Sequence, residues 1–223
     1  MEMRTVKSAA AAAVMLALGA MALPAAAQEV YVQGGTQGGG IGGAWGITKY
    51  VGVHADLNGF NLSHSFNAGG NKFDGQLQVR HLGVFADVFP FPSYGFRVSA
   101  GTLINRDRLN ATAVPTNGNY YIDGTAIPAV LANGQQLKVN ARFPTFMPYL
   151  GLGWGHQPLH KGFGFVADIG VAYGRPRVSF DEPSVLTTYV ARSVIDQEES
   201  EVRNKVEHYR WYPIVQVGVS YRF

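Results

Sequence analysis

The last fifteen residues, Tyr209–Phe223, alternate strictly between two chemistries. Phe223, Tyr221, Val219, Val217, Val215, Pro213, Trp211 and Tyr209 form an apolar row with aromatic residues at both ends. Arg222, Ser220, Gly218, Gln216, Ile214, Tyr212 and Arg210 form the other row, with arginine at both ends. A period of two places these rows on opposite faces of one strand. Such a strand fits the wall of an outer-membrane β-barrel, with the apolar row toward lipid and the polar row toward the lumen. Tyr221 and Phe223, the aromatic terminus, read as the assembly signal through which barrel-assembly machinery engages the final strand.

The other end of the chain agrees. Arg4 and Lys7 precede an apolar run from Ser8 to Leu23, and Pro24-Ala25-Ala26-Ala27 follows. That run is shorter than the roughly 20 residues of a spanning helix. Its small-residue end suits a signal peptidase, so residues 1–27 are expected to be a signal peptide cleaved before Gln28. Residues 28–223 then form one barrel domain bound for the outer membrane of a Gram-negative cell. The chain has no cysteine, which excludes a lipoprotein anchor, disulfides and thiolate metal sites. Its 28 glycines and 15% charged residues suit an alternating wall better than a soluble enzyme. A net charge of +3 gives nucleic acid no support as a partner.

Strand patterns recur at Gly40–Ile47, Val51–Asn58, Gln76–Phe89, Phe96–Asn105, Leu137–Gly155 and Phe163–Gly174. With Tyr209–Phe223 these make seven, and single-chain barrels close with an even number. The parity set by Phe223 asks for an outward strand before Gly40, and Glu29–Gly38 supplies it, with Val30 and Val32 toward lipid. A strand near Val185–Val190 is the alternative. Three connections are short, and three are longer and polar: Gly59–Gly75, Arg106–Gln136 and Arg175–His208. Parity slips near His81, at Pro144-Thr145 and at Arg175-Pro176 read as β-bulges. Ile195–Tyr209 reads as an acidic amphipathic helix in the last long loop. The expected fold is all-β: an antiparallel transmembrane barrel of eight strands with long external loops and one short loop helix.

The interior row holds His54, Asp56, Arg80, Asp87, Arg97, Asp168, Gln216 and Arg222. Asp87 and Arg97 are equidistant from Pro92 and are expected to oppose each other across a hairpin. Asp56, Asp87, Asp168, Arg80, Arg97 and Arg222 are therefore the candidate lumen or solute residues. They would either select solutes or fill a bore only wide enough for side chains. Glycines crowd the first strands from Gly34 to Gly46, but no helix N-terminus or Lys-Ser/Thr follows to make a phosphate loop. Glycine where the wall curves or backbones approach is the better account. Ser63, His64, Ser65 and His81 form no nucleophile pattern, and the six histidines lack metal-ligand spacing, so neither catalysis, metal nor cofactor is expected.

The stretch Met147–Gly155 (MPYLGLGWG), then GFGFVADIGVAYGRPRVSF from Gly162, then EESEVRNKVEHYRWYP resembles the CarO-type outer-membrane proteins. These are small barrels associated with ornithine uptake and carbapenem susceptibility. The likeness is dense over Tyr149–Phe223 and thin through GAWGITKYVGVHADLNGF and the Gln76–Asn105 hairpin. It implies an eight-stranded barrel and slow passage of small, cationic solutes such as basic amino acids. The alternative is a non-conducting structural or surface-interaction barrel with a packed lumen. Expected partners are outer-membrane lipid and lipopolysaccharide, the assembly machinery, and small cationic solutes.

Overall fold

Alternating side chains can bury a polar row only if the sheet curls until its edges meet. The computed structural model describes residues 28–68, 70–156 and 161–223 and shows that closure. The expected signal peptide, residues 1–27, lies outside the described residues, as do residues 69 and 157–160. In chain order the strands are β1 (Glu29–Gly35), β2 (Gly38–Gly46), β3 (Val51–Ala68), β4 (Asn71–Val88), β5 (Phe96–Asn105) and β6 (Arg108–Val114). After them come β7 (Asn119–Ile122), β8 (Thr125–Pro128), β9 (Lys138–Arg142), β10 (Phe146–Trp154), β11 (Gly162–Tyr173), β12 (Arg177–Asp181) and β13 (Trp211–Arg222). Two helices, α1 (Leu186–Tyr189) and α2 (Arg192–Glu207), precede β13. Eight antiparallel strands form the ring, in the order β1-β2-β3-β4-β5-β10-β11-β13 and back to β1.

The eighth strand lies where the parity of Phe223 demands it. Glu29–Gly35 pairs with Arg222–Gln216 on one side and with Ala44–Gly38 on the other. The alternative segment near Val185 holds α1 instead. Outward positions carry exposed apolar residues, among them Leu57, Val84, Leu150, Ile169 and Val217, while Trp154, Phe163 and Trp211 stand near the rims. Within the ring, inward positions of β3, β4 and β13 are buried or half-buried.

The expected parity slips are absent. In β4 the odd residues stay inward from Asn71 to Asp87, so His81 is buried and Arg80 is outward and exposed. β5 and β6 keep one register against β4 across Arg106 and Asp107. β9 and β10 keep one register against β6 and β5, so Pro144-Thr145 interrupts the ladder without moving it. Between β11 and β12 the partner strand gains two residues, an even shift that leaves every side chain on its face. A proline removes one ladder donor; it need not insert a residue.

The long connections are more ordered than their polarity suggests. Instead of a loop, Gly59–Gly75 continues the β3–β4 hairpin, whose ladder runs up to the pair Ala68 and Asn71. Phe66 stacks on Phe73 there at 5.6 Å between ring centroids. Beyond the ring, β12, β9, β6, β4 and β3 form a tall flange, whereas β1 and β2 turn back at residues 36–37. The β7–β8 hairpin, α1 and α2 cover the inner face of the flange over β4, β6 and β9. Phe73, Ala111, Ala113, Tyr120, Ile122, Ile127, Leu137, Leu186, Val190 and Ile195 make a second apolar core, separate from the barrel. The helix expected from Ile195 begins three residues earlier, at Arg192, and buries Ile195 in this core. Ile127 is wholly buried. Ile127→Ala is expected to destabilise this cap by about 2–5 kcal/mol. Limited proteolysis should then cut the 106–136 and 175–208 segments faster, while the heat-modifiable gel mobility of the barrel stays unchanged. Loss of both together would mean the cap and barrel share one core.

Candidate functional site

Four groups of side chains fill the lumen. At the end carrying the short turns, Glu29 on β1 accepts a hydrogen bond from Arg222 on β13 and lies 2.8 Å from His156 Nδ1. His156 sits just past β10 with φ of +60°, a left-handed turn that folds its ring back into the barrel. Beside this group, Arg97 donates from Nη1 to Asp87 Oδ1 (3.1 Å) and from Nη2 to Asp168 Oδ2 (2.8 Å). Ser99 donates to Asp87 at 2.6 Å, and His54 Nδ1 lies 2.7 Å from the other Asp87 oxygen. Arg97 is 0% exposed. Its reach to Asp168 depends on the residue between them, Gly153, where a Cβ would lie 2.6 Å from Asp168 and 2.7 Å from Arg97 Cζ.

Asp56 is held differently. Its carboxylate accepts from Gln33 Nε2 (3.1 Å), Asn58 Nδ2 (2.7 Å) and Tyr31 Oη (3.4 Å), and it forms no ion pair among the described residues. Gln216 links this amide group to Gln37 at 3.2 Å. Toward the loop end the filling becomes apolar: Phe85, Leu103, Met147, Tyr149, Ala172 and Ile214, with Phe143 and Tyr212 packed on them. Inward glycines seat the rings. A Cβ on Gly101 would meet the Phe85 backbone at 2.8 Å, and one on Gly170 would overlap the Tyr149 ring at 2.6 Å. Glycine is thus required on the wall where the rings of Phe85 and Tyr149, packed edge to face at 4.9 Å, press against it.

Asp56, Asp87, Asp168, Arg97 and Arg222 all point into the lumen. Arg80 is a correction: with no slip at His81 its side chain stays outward. The pairing of Asp87 with Arg97 is also less direct than expected. Ser99 stands opposite Asp87, because the hairpin centres on Ser93, one residue past Pro92, and Arg97 reaches diagonally. Tyr221 and Phe223 pack edge to face at 5.3 Å on the outer surface. Ser63, His64 and Ser65 are exposed near the β3 tip, where Ser65 donates to Asp74, while His81 is buried 4.0 Å from Asp107. Sequence reasoning missed Glu29, His156, Gln33 and Tyr31. Glu29 has opposite parity to Val30 and Val32, so pairing the first strand with the last would have set it beside Arg222.

Solved structures share this architecture. The crystal structure of Acinetobacter baumannii CarO matches with a TM-score of 0.54 at 19% identity, covering 89% of this chain and 98% of that one. Acinetobacter baumannii CarO2 matches with a TM-score of 0.54 at 22% identity, covering 87% and 97%. This chain has the CarO fold. No family model and no curated protein matches it. The likeness to CarO therefore extends far beyond the C-terminal third, and at this identity it concerns the fold alone. What the lumen does rests on the side chains described above.

Proposed function

We propose that this chain is an outer-membrane β-barrel whose lumen is closed by its own side chains and whose dealings with the surroundings run through the folded cap. The outward apolar belt with aromatic rims supports the membrane assignment. The turn end is then periplasmic and the cap external. One observation carries the closure: fully buried Arg97 bridges Asp87 and Asp168, beneath an apolar filling of Phe85, Met147 and Tyr149. A continuous water path would need these groups to separate, and separating a buried pair is costly. Reconstituted in planar bilayers, the protein is expected to show no conductance steps above the lipid background. Regular ion-conducting steps from the purified, folded barrel would overturn the closed reading.

A second reading, a slow and narrow porin for small cationic solutes such as basic amino acids, is favoured by Asp56. This carboxylate is buried among amides without a cation of its own. Under it, liposomes carrying the protein take up ornithine or lysine saturably, and Asp56→Asn lowers that uptake. Uptake equal to that of empty liposomes would remove this reading.

A further inference from the structure

The outward face of the flange carries arginine where the apolar belt ends. On β4 the last apolar outward residue, Leu82, is followed upward by Arg80. Above β5, Ile104 is followed by Arg106, and above β11, Tyr173 is followed by Arg175. The next rung sets Arg108, Arg142 and Arg177 directly opposite one another on β6, β9 and β12. All six are exposed, and among the described residues none is joined to a carboxylate by a salt bridge. Arg175 donates to the Tyr173 hydroxyl at 3.3 Å. The nearest outward carboxylates on these strands, Asp74 and Asp181, lie further along the flange and are bonded to Ser65 and Asn140.

Neighbouring strands are about 4.8 Å apart, and like charges directly opposed across them are destabilising. Three arginines in one rung therefore need an anion from outside the chain. Guanidinium groups hold phosphate through two parallel hydrogen bonds, and a row of them fits several phosphates at a fixed height. Basic residues just beyond an apolar span meet the anionic headgroups of the adjacent leaflet. We infer that the six outward arginines of the flange form a binding site for the phosphates of the outer-leaflet glycolipid, lipopolysaccharide. The six arginines lie on one side of the barrel only, on β4, β6, β9 and β12 and just past β5 and β11. Bound glycolipid would brace the flange, whose backbone lacks the closure that stabilises the ring below.

This inference rests on the outer-membrane reading, and the two fail separately. Membrane fractionation and heat-modifiable mobility test the location. Binding is tested on purified, folded protein with three probes: native lipopolysaccharide, the same glycolipid with its phosphates removed enzymatically, and vesicles of anionic phospholipid. Native lipopolysaccharide is expected to bind the R108Q/R142Q/R177Q variant about tenfold or more weakly than wild type, since each lost guanidinium removes a charge-assisted pair. The dephosphorylated glycolipid should bind wild type as weakly as native glycolipid binds the variant. A control, K49Q/K161Q at the short turns, should bind like wild type. Equal binding of native and dephosphorylated glycolipid would overturn the inference without any variant having to fold. So would full displacement by millimolar inorganic phosphate, or equal affinity for the phospholipid vesicles. Location outside the outer membrane would overturn both readings.

Discussion

Arg97→Ala is expected to lower barrel stability by about 3–5 kcal/mol, the usual cost of leaving buried partners of an ion pair uncompensated. Arg97 touches no solvent and holds two carboxylates, Asp87 on the adjacent β4 and Asp168 on β11, beyond β10. Asp87 would keep His54 and Ser99, but among the described ion pairs Asp168 has only Arg97. The loss should appear as a lower urea midpoint of the protein refolded into vesicles, read from the shift between folded and unfolded gel mobility. Arg97→Lys should fall between, because an ammonium is a point charge and lacks the fork that spans both acids. Pairing Arg97→Ala with Asp168→Ala should recover part of the loss. An unchanged midpoint in Arg97→Ala would sink the view that this bridge holds the lumen closed.

The second large effect is expected at the seam. Glu29 joins the first strand to the last through Arg222, and to the end of β10 through His156. Glu29→Ala leaves a buried guanidinium and a buried imidazole without their acceptor, again about 3–5 kcal/mol. The first and last strands are the pair furthest apart in sequence and so carry a large loop-closure cost, and the loss should slow closure as well as lower stability. Refolding into vesicles should show a smaller fraction reaching the folded mobility, with Glu29→Gln intermediate because it keeps one acceptor oxygen. Refolding at wild-type rate and yield in Glu29→Ala would show that backbone pairing alone closes the ring.

The wall of this barrel was legible because each outward row is long and repeats. Val215, Val217 and Val219 on β13, or Val51, Val53 and Leu57 on β3, can face only one way. Counting parity back from Phe223 even located the short first strand. The flange was not legible. Above the belt both faces of β3 meet water, the alternation fades, and Asn61 to Ala68 reads as loop. Strand pairing there depends on partners distant in sequence, such as Lys72 to Gln78 with Arg108 to Val114. The parity slips were misjudged because His81 and Pro144 look out of place only when partners are unknown.

By itself, then, the sequence determined the eight-stranded barrel and the inward row of Asp56, Asp87, Arg97, Asp168 and Arg222, since side-chain alternation is a local property of the extended chain. Only the tertiary structure decided which charges meet. That Arg97 crosses Gly153 to Asp168, that Glu29 finds Arg222, and that Arg108, Arg142 and Arg177 share one rung all follow from register between strands. Register is set by the closed ring as a whole, and no single strand contains it.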